Sequence, residues 1–186
     1  MQDQKEHLRK QFRQFRDEID AKTCARNNQA ILEKLQDLPE ITAAKSLFCY
    51  VSAGTEADTH SLIDWLLVQG KRLAVPKITG KGQMLAAPFT GWSGLQKGVL
   101  GILTPVSSEE FTGKMDVCIT PGLAFTASGS RLGQGQGFYD RWFTEHSMQH
   151  KIALAFECQI TDTLPADTYD LHVDLIITEK RVIRVS

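Results

Sequence analysis

The sequence predicts an α/β fold built around a mostly parallel β-sheet. Short apolar segments rich in strand-forming residues alternate along the chain with segments whose apolar residues recur at helical spacing. This alternation is typical of parallel strands joined by helical crossovers. The chain has 186 residues, of which 42% are hydrophobic and 23% charged, and it shows no internal repeat or linker. We therefore expect a single domain over residues 1–186 with one sizeable core.

The individual elements follow from apolar spacing and from Gly and Pro positions. An apolar stripe from Leu8 to Ile19 predicts a first helix, and Gly70 is a natural stop for a later one. The predicted helices cover residues 3–20, 22–37, 60–70 and 138–146. The predicted strands cover residues 46–51, 72–77, 84–89, 115–120, 151–156, 173–178 and 181–185. If the strands are parallel, the loops at 51–59 and 121–137 and the Pro76–Lys77 corner lie at one edge of the sheet, where such folds bind ligands.

Composition argues against several classes of partner. The formal net charge is −1, so we expect no strong attraction to nucleic acid. No apolar run approaches the length of a membrane span, and the charged start of the chain does not resemble a signal peptide. The 4 cysteines are far apart and form no CxxC pair, which favours reduced thiols. We therefore expect a cytoplasmic protein without a membrane partner.

The segment RLGQGQGFYDR, residues 131–141, carries the clearest chemical signal. Its glycines at 133, 135 and 137 allow positive φ angles and leave backbone N–H groups accessible to a ligand. Such a loop can wrap a phosphate chain, which the flanking arginines can neutralise, and Asp140 offers a hard oxygen for Mg²⁺. The spacing matches neither a Walker A loop nor GxGxxG, and a plain surface turn is the alternative.

Cationic residues of the first helix are a second candidate group. Lys5 and Arg9 are four residues apart and share a face, which Arg13 and Arg16 extend. The alternative, which charge pattern alone favours, is an exposed and solvated helix face.

Carboxylates supply the remaining candidates. Glu56 follows a strand and could bind N–H donors of a heterocycle, whereas Asp58 is better suited to capping the next helix. Asp167, Asp170 and Asp174 could cap turns, or one of them could join Asp140 at a metal. The histidines show no metal-ligand spacing.

Taken together, these motifs resemble the 5-formyltetrahydrofolate cyclo-ligase family, also called methenyltetrahydrofolate synthetases. The match is ordered, spans almost the whole chain and is most specific at the glycine loop. The matching residues are Lys5, Leu8 and Arg9; Glu56, Asp58 and Thr59; Val75-Pro76-Lys77; GILTP at 101–105; PGLAF at 121–125; RLGQGQGFYDR at 131–141; Gln159; and Leu164, Pro165, Asp170, Val173, Asp174 and Thr178.

The resemblance implies a Rossmann-like three-layer α/β/α fold and an ATP- and Mg²⁺-dependent enzyme. The implied reaction converts 5-formyltetrahydrofolate to 5,10-methenyltetrahydrofolate with release of ADP and phosphate, and a monomer is expected. ATP would phosphorylate the formyl oxygen, and the 10-nitrogen would then attack the activated carbon. Charge neutralisation and positioning are what such phosphoryl transfer requires.

The resemblance also assigns residues. The implied catalytic residues are Lys5, Arg9 and Arg131. The implied ATP contacts are Lys5, Arg9, Arg131, Leu132, Gly133, Gln134, Gly135, Gln136, Gly137, Phe138 and Tyr139. The implied folate contacts are Val51, Glu56, Gln134, Gly135, Gly137 and Phe138. The implied metal ligands are Asp140 and Asp170.

The chain departs from the family pattern within its glycine loop. Gln134 and Gln136 occupy positions that often hold a basic residue or glycine, and Phe138 stands where tyrosine is frequent. A hydroxyl contact from Phe138 is therefore impossible, although stacking remains available. Two other classes stay open from the sequence: a nucleotide-binding regulatory module, and an isomerase or CoA-transferase relative that works without ATP.

Overall fold

The computed structural model describes residues 2–98, 103–165 and 172–185. Within these residues it has five α-helices, numbered in chain order: α1 Gln2–Asp17, α2 Ala21–Gln36, α3 Pro39–Ala43, α4 His60–Val68 and α5 Phe138–Glu145. The strands are β1 Ser46–Cys49, β2 Arg72–Gly80, β3 Gln83–Phe89, β4 Leu95–Lys97, β5 Leu103–Pro105, β6 Met115–Thr120, β7 Ala124–Phe125, β8 Arg131–Leu132, β9 Met148–Leu154, β10 Leu175–Ile177 and β11 Val182–Arg184. Short 3-10 helices cover Trp92–Gly94 and Glu157–Gln159.

The main sheet has seven strands in the order β11-β10-β9-β6-β1-β2-β3. The five central strands are parallel, and the edge strands β3 and β11 are antiparallel to their neighbours. The predicted α/β class and mostly parallel sheet are therefore confirmed. Two small antiparallel pairs, β4-β5 and β7-β8, lie outside the main sheet.

Side-chain alternation along the strands produces the three layers. On β1, Leu47 and Cys49 face the buried cluster that contains residues of α2, α3 and α4, whereas Phe48 faces α5 on the other side. The strands β2, β6 and β9 repeat this pattern, with the smaller side chains of Ala74, Cys118 and Ala153 on the second face. Because helices cover both faces of a sheet that is buried at its centre, the fold is the expected three-layer α/β/α arrangement.

Local signals set the ends of the helices. Asp20 caps α2 by accepting hydrogen bonds from the N–H groups of Lys22 and Thr23, each at 3.0 Å. Asp58 accepts from the N–H groups of His60 and Ser61 at 3.1 and 3.2 Å and so caps the start of α4. The capping role that the sequence favours for Asp58 is confirmed.

Two elements differ from the sequence prediction. The strand β2 continues beyond Pro76 to Gly80, because it pairs with β3 as the two arms of a hairpin. Pro39 begins the short helix α3 and does not merely follow α2, since Pro suits the first helical turn. The part of the chain that the structure describes contains no helix long and apolar enough to cross a membrane.

Candidate active site

The loops that follow the parallel strands meet at one edge of the sheet. The loop after β1 contains Glu56, and the segment after β6 runs from Pro121 to Gly137 and contains the glycine loop, defined here as residues 133–137. Helix α1 packs against this segment, because Phe12 is buried in one cluster with Leu123, Ala124 and Leu132. The first helix and the glycine loop, which are separated by more than half of the chain, therefore lie side by side.

The glycine loop has little room for side chains at its glycines. Gly135 and Gly137 have left-handed φ angles of 96° and 64°, which glycine adopts without strain. A Cβ atom at Gly135 would lie 3.2 Å from Cζ of Arg9. Gly137 is also the residue that precedes α5, so the loop ends directly at the N-terminus of a helix. Backbone N–H groups at a helix N-terminus favour anionic groups.

Arginines of α1 bind the glycine loop directly. Arg9 donates from Nε to the carbonyl oxygen of Gly133 at 3.0 Å, and Arg13 donates from Nη2 to Oε1 of Gln134 at 2.9 Å. The cationic face of α1 therefore lies next to the glycine loop at this edge of the sheet.

The interpretation of the α1 cations as a fully solvated face is wrong for two of them. Lys5 is only 8% exposed and Arg16 only 6%. Arg16 donates from Nε to Oγ1 of Thr55 at 3.1 Å and so binds the loop after β1. Helix α1 thus contacts both loops of the candidate site.

Arg131 and Asp140 form an ion pair at the base of the glycine loop. Their Nη2 and Oδ1 atoms are 2.6 Å apart, with only 4% of the Arg131 side chain and 25% of the Asp140 side chain exposed. Arg131 also donates to the carbonyl oxygen of Pro121 at 3.2 Å. The guanidinium group lies 5.7 Å from the ring centre of Tyr139. The pair therefore closes the loop between β8 and α5.

Several buried polar atoms below the loop lack a hydrogen-bond partner among the described residues. They are Oγ1 of Thr120, Nε of Arg131 and the hydroxyl of Tyr139, together with Nε1 of Trp142 in α5. Burial keeps the pKa of Tyr139 well above its ordinary range, so this hydroxyl remains protonated. Unsatisfied buried polar groups are unusual in folded proteins, and two of these residues, Arg131 and Tyr139, stand within two residues of the glycine loop.

Glu56 lies on the other side of the site, in the loop after β1. Its Oε2 atom accepts a hydrogen bond from the N–H of Ala53 at 3.0 Å. Burial raises the pKa of the Glu56 carboxyl above its ordinary value of 4.5, while the Ala53 bond and the nearby Arg16 guanidinium act in the opposite direction. Val51, another predicted contact, is 7% exposed and packs in the main core cluster.

Gln159 holds the segment after β6 in place. Its side-chain nitrogen donates to the carbonyl oxygens of Gly122 and Leu123 at 2.9 and 3.0 Å, and its oxygen accepts from the N–H of Phe156 at 2.9 Å. Because Gln159 is 1% exposed, these bonds are protected from water. Gln159 is one of the residues that carry the resemblance to the family, and its hydrogen bonds show that it has a structural role.

Other singled-out residues have structural contacts. Lys77 donates to the carbonyl oxygens of Val106 and Ser107, each at 2.9 Å. Asp174 accepts from the N–H of Lys151 at 2.7 Å, a contact with the neighbouring strand β9 and not with a local turn. Asp170, the predicted partner of Asp140 at the metal, lies outside the described residues, as does Asp167. The described residues contain no group of three His, Cys, Asp or Glu side chains arranged to hold a metal ion.

Sequence reasoning gave Arg141, the last residue of the glycine motif, only the general role of a flanking arginine that can neutralise phosphate, and it did not predict the contacts that Arg141 makes. Its Nε atom donates to the carbonyl oxygen of Gly82 at 2.8 Å, and its Nη2 atom donates to that of Gln136. The β2–β3 turn is therefore bound to the glycine loop. The only sequence signal for this residue was its place at the end of the motif.

Comparisons with known proteins agree with this geometry. The model of the 5-formyltetrahydrofolate cyclo-ligase family matches residues 1–179. A Caenorhabditis elegans protein named "Probable 5-formyltetrahydrofolate cyclo-ligase" is 32% identical, with 96% of this chain and 94% of that protein covered. The 5-formyltetrahydrofolate cyclo-ligase of Escherichia coli K12 is 30% identical, with 83% of this chain and 88% of that protein covered.

A solved structure shows the same likeness in three dimensions. The 5,10-methenyltetrahydrofolate synthetase of Aquifex aeolicus superposes with a TM-score of 0.87 at 31% identity, covering 97% of this chain and 92% of that one. The family match spans the N-terminal helix, the loop after β1 and the glycine loop, which the fold brings to one edge. The chain belongs to the 5-formyltetrahydrofolate cyclo-ligase family.

Proposed function

We propose that this edge of the sheet binds ATP and 5-formyltetrahydrofolate together and catalyses formation of 5,10-methenyltetrahydrofolate. The family to which the chain belongs uses ATP for this conversion. The observation that carries the assignment to this edge is the contact of α1 with the glycine loop, through Arg9 to Gly133 and Arg13 to Gln134. These contacts bring cationic side chains beside a loop that ends at a helix N-terminus, which is suited to a phosphate chain.

On the ATP side, the roles follow from charge and position. Lys5 and Arg9 neutralise phosphate oxygens, and N–H groups of residues 133–137 donate to them. Arg131 keeps the loop closed through Asp140 and adds positive charge from below. Phosphoryl transfer to the formyl oxygen gains from such fixed charges, because they stabilise the transferring group without reorganising.

On the folate side, Glu56 accepts N–H groups of the pterin ring, and Val51 forms part of the apolar wall. Phe138 stacks against the substrate, since it has no hydroxyl to donate. Once the formyl oxygen carries the phosphoryl group, it is a good leaving group. The 10-nitrogen then attacks the formyl carbon and loses its proton to water, the five-membered ring closes and phosphate departs, so ADP and phosphate accompany the product.

Magnesium fits the donor set at Asp140. Mg²⁺ beside phosphates commonly takes one or two carboxylates, with substrate oxygens and water completing its shell. The Asp140 carboxylate is partly exposed at the first turn of α5 and adjoins the glycine loop. When bound, Mg²⁺ would neutralise charge on the phosphate chain, and Asp170 is the proposed second ligand.

The remaining parts of the proposal concern the protein as a whole. We propose that residues 1–186 form a single domain that works as a monomer in the cytoplasm. Its formal net charge of −1 gives no general attraction to nucleic acid, so we propose no nucleic-acid partner.

The decisive assay incubates purified protein with 5-formyltetrahydrofolate and follows the methenyl product by its absorbance. The assay uses four mixtures: one without ATP or Mg²⁺, one with ATP alone, one with Mg²⁺ alone and one with both. We expect product only with ATP and most of it with ATP and Mg²⁺ together. Folded protein that binds ATP without making product would instead support a regulatory module, and product formed without ATP would support an isomerase-like reaction.

A further inference from the structure

The guanidinium group of Arg141 lies between two turns that are distant in sequence. On one side, Nε donates to the carbonyl oxygen of Gly82, in the turn between β2 and β3, at 2.8 Å. On the other side, Nη2 donates to the carbonyl oxygen of Gln136 in the glycine loop. The same group lies 6.0 Å from the ring centre of Phe138. Arg141 thus connects the β2–β3 turn with the loop proposed to bind both substrates.

Glycines on both sides leave the space that this side chain occupies. A Cβ atom at Gly82 would lie 2.8 Å from Nη2 of Arg141, and one at Gly137 would lie 2.8 Å from Nη1. Both glycines have left-handed φ angles, 77° and 64°. The guanidinium therefore fits between two backbone segments that approach it closely because they carry no side chains.

We propose that Arg141 is a positioning residue, which holds the glycine loop in its ligand-binding shape by fixing residues 136–138 to the β2–β3 turn. This inference rests on the proposed function, because it assigns Arg141 a role at the same site. Arg141 acts through the loop and not on the reacting atoms. Arginine suits this task because its planar group carries donors that point in different directions, whereas lysine has a single ammonium group.

The two contacts restrict the part of the loop with most conformational freedom. Gln134, Gly135 and Gln136 are exposed, and glycine populates many backbone states. In contrast, α5 is anchored beyond this point, because Trp142 and Phe143 pack in a buried cluster with Phe48 and Ala74. Arg141 extends this rigidity from the helix back into the loop. A loop that already has its binding shape loses less conformational entropy when a ligand binds, so fixing the loop strengthens binding.

The test compares Arg141→Ala and Arg141→Lys with Arg26→Ala, which removes an exposed arginine of α2. We expect Arg141→Ala to raise the KM for Mg-ATP about tenfold with a much smaller change in kcat, as for loss of ground-state binding. Arg141→Lys should recover part of the loss, because its ammonium can reach one carbonyl at a time. Arg26→Ala should behave as wild type.

Hydrogen exchange without ligands gives a readout that does not depend on activity. Arg141→Ala should speed exchange in residues 80–83 and 133–138 together, while the central strands stay protected. If both segments exchange as in wild type, or if they exchange faster but KM and kcat do not change, the positioning role is wrong. A wild-type protein that makes no methenyl product would contradict the proposed function, while the exchange result would still decide whether Arg141 fixes the loop.

Gly82→Ala is a second variant that disturbs the same contact, and Gly70→Ala is its control. Gly82→Ala places a methyl group against the guanidinium, whereas Gly70→Ala introduces alanine at a similar φ of 69° where no atom lies within 4 Å. We expect Gly82→Ala to raise the KM for Mg-ATP as Arg141→Ala does, and Gly70→Ala to affect only stability. When Gly82→Ala and Arg141→Ala are combined, their effects on KM should be less than additive, because both changes break the same contact. Fully additive effects would overturn the proposal.

Discussion

Arg131 and Asp140 form a 2.6 Å ion pair that closes the glycine loop, one residue standing just before the loop and the other just after it. The guanidinium is almost completely buried, so it depends on Asp140 and on the carbonyl oxygen of Pro121 for its hydrogen bonds. The carboxylate proposed as the magnesium ligand therefore also stabilises the fold of the loop. This double role changes what substitution of Asp140 is expected to do.

Asp140→Asn should lower both stability and use of magnesium. The buried guanidinium loses its charged partner, which we expect to reduce the free energy of unfolding by about 2 kcal/mol. Urea unfolding without ligands measures this part. The magnesium part is measured as the rise in melting temperature caused by ATP, with and without Mg²⁺. In wild type Mg²⁺ should enlarge that rise, and in Asp140→Asn it should not.

A matched control separates the two effects. Asp116→Asn replaces a carboxylate at the start of β6, where Oδ2 accepts from the N–H of Lys45 at 2.7 Å. This variant should lose stability while keeping the full effect of Mg²⁺ on ATP binding. If Asp140→Asn kept that effect as well, Asp140 would not be the metal ligand.

Lys5→Ala should raise the apparent KM for ATP about tenfold, while Lys10→Ala should leave it unchanged. Both lysines belong to α1, but Lys5 is 8% exposed and Lys10 lies on the exposed face. Alanine is a good helix former, so neither substitution should unfold α1. Steady-state kinetics with varied ATP makes the comparison. Equal effects of the two substitutions would show that only the general charge of the helix matters.

Gln159→Ala should reduce the free energy of unfolding by about 3 kcal/mol, because it leaves buried backbone groups of Gly122, Leu123 and Phe156 without their partner. Gln149→Ala, at an exposed position of β9, is the control and should change stability little. Urea unfolding monitored by circular dichroism measures both. A loss for Gln159→Ala no larger than for Gln149→Ala would mean that the segment after β6 is held by other contacts.

The arrangement of strands and helices could be predicted because it depends on local apolar spacing. The run of apolar, strand-forming residues that includes Leu47, Phe48 and Cys49 is visible in the sequence and predicts β1, although the faces to which they point are seen only in the structure. The antiparallel direction of β3 was not visible in the same way, because it depends on the turn at Gly82. Local pattern thus predicts elements better than it predicts their pairing.

Long-range contacts of the site were less accessible to sequence reasoning. Arg141 and Gly82 are 59 residues apart, and Arg13 and Gln134 are 121 apart, so no local pattern connects them. The burial of Lys5 was also missed, since charge spacing indicates which residues share a helix face but not what covers that face. The glycine loop was identified because its chemistry lies within 11 consecutive residues.

Glu56→Gln should weaken binding of 5-formyltetrahydrofolate. A carboxylate that accepts N–H groups contributes more than a neutral amide oxygen, so we expect the KM for this substrate to rise about tenfold. The KM for ATP should change much less, because Glu56 belongs to the other side of the proposed site. Equal changes in both constants would indicate a general disturbance of the loop after β1.

The same variant should also change how stability depends on pH. Burial raises the pKa of Glu56 in the folded protein above its ordinary value of 4.5, so the folded state holds this proton more tightly than the unfolded chain does. Stability from this residue is therefore present at low pH and is lost as the pH rises through the raised pKa. Arg16, which faces Glu56, reduces the loss, and the amide introduced by Glu56→Gln does not titrate in this range.

The difference in free energy of unfolding, Glu56→Gln minus wild type, should accordingly be more positive at about pH 8 than at about pH 4. Urea unfolding at the two pH values measures it. Glu33→Gln, which removes an exposed carboxylate of α2, controls for the general loss of one negative charge. If the Glu56→Gln difference stays constant with pH or falls as the pH rises, the Glu56 carboxyl is not destabilised by burial in the folded protein.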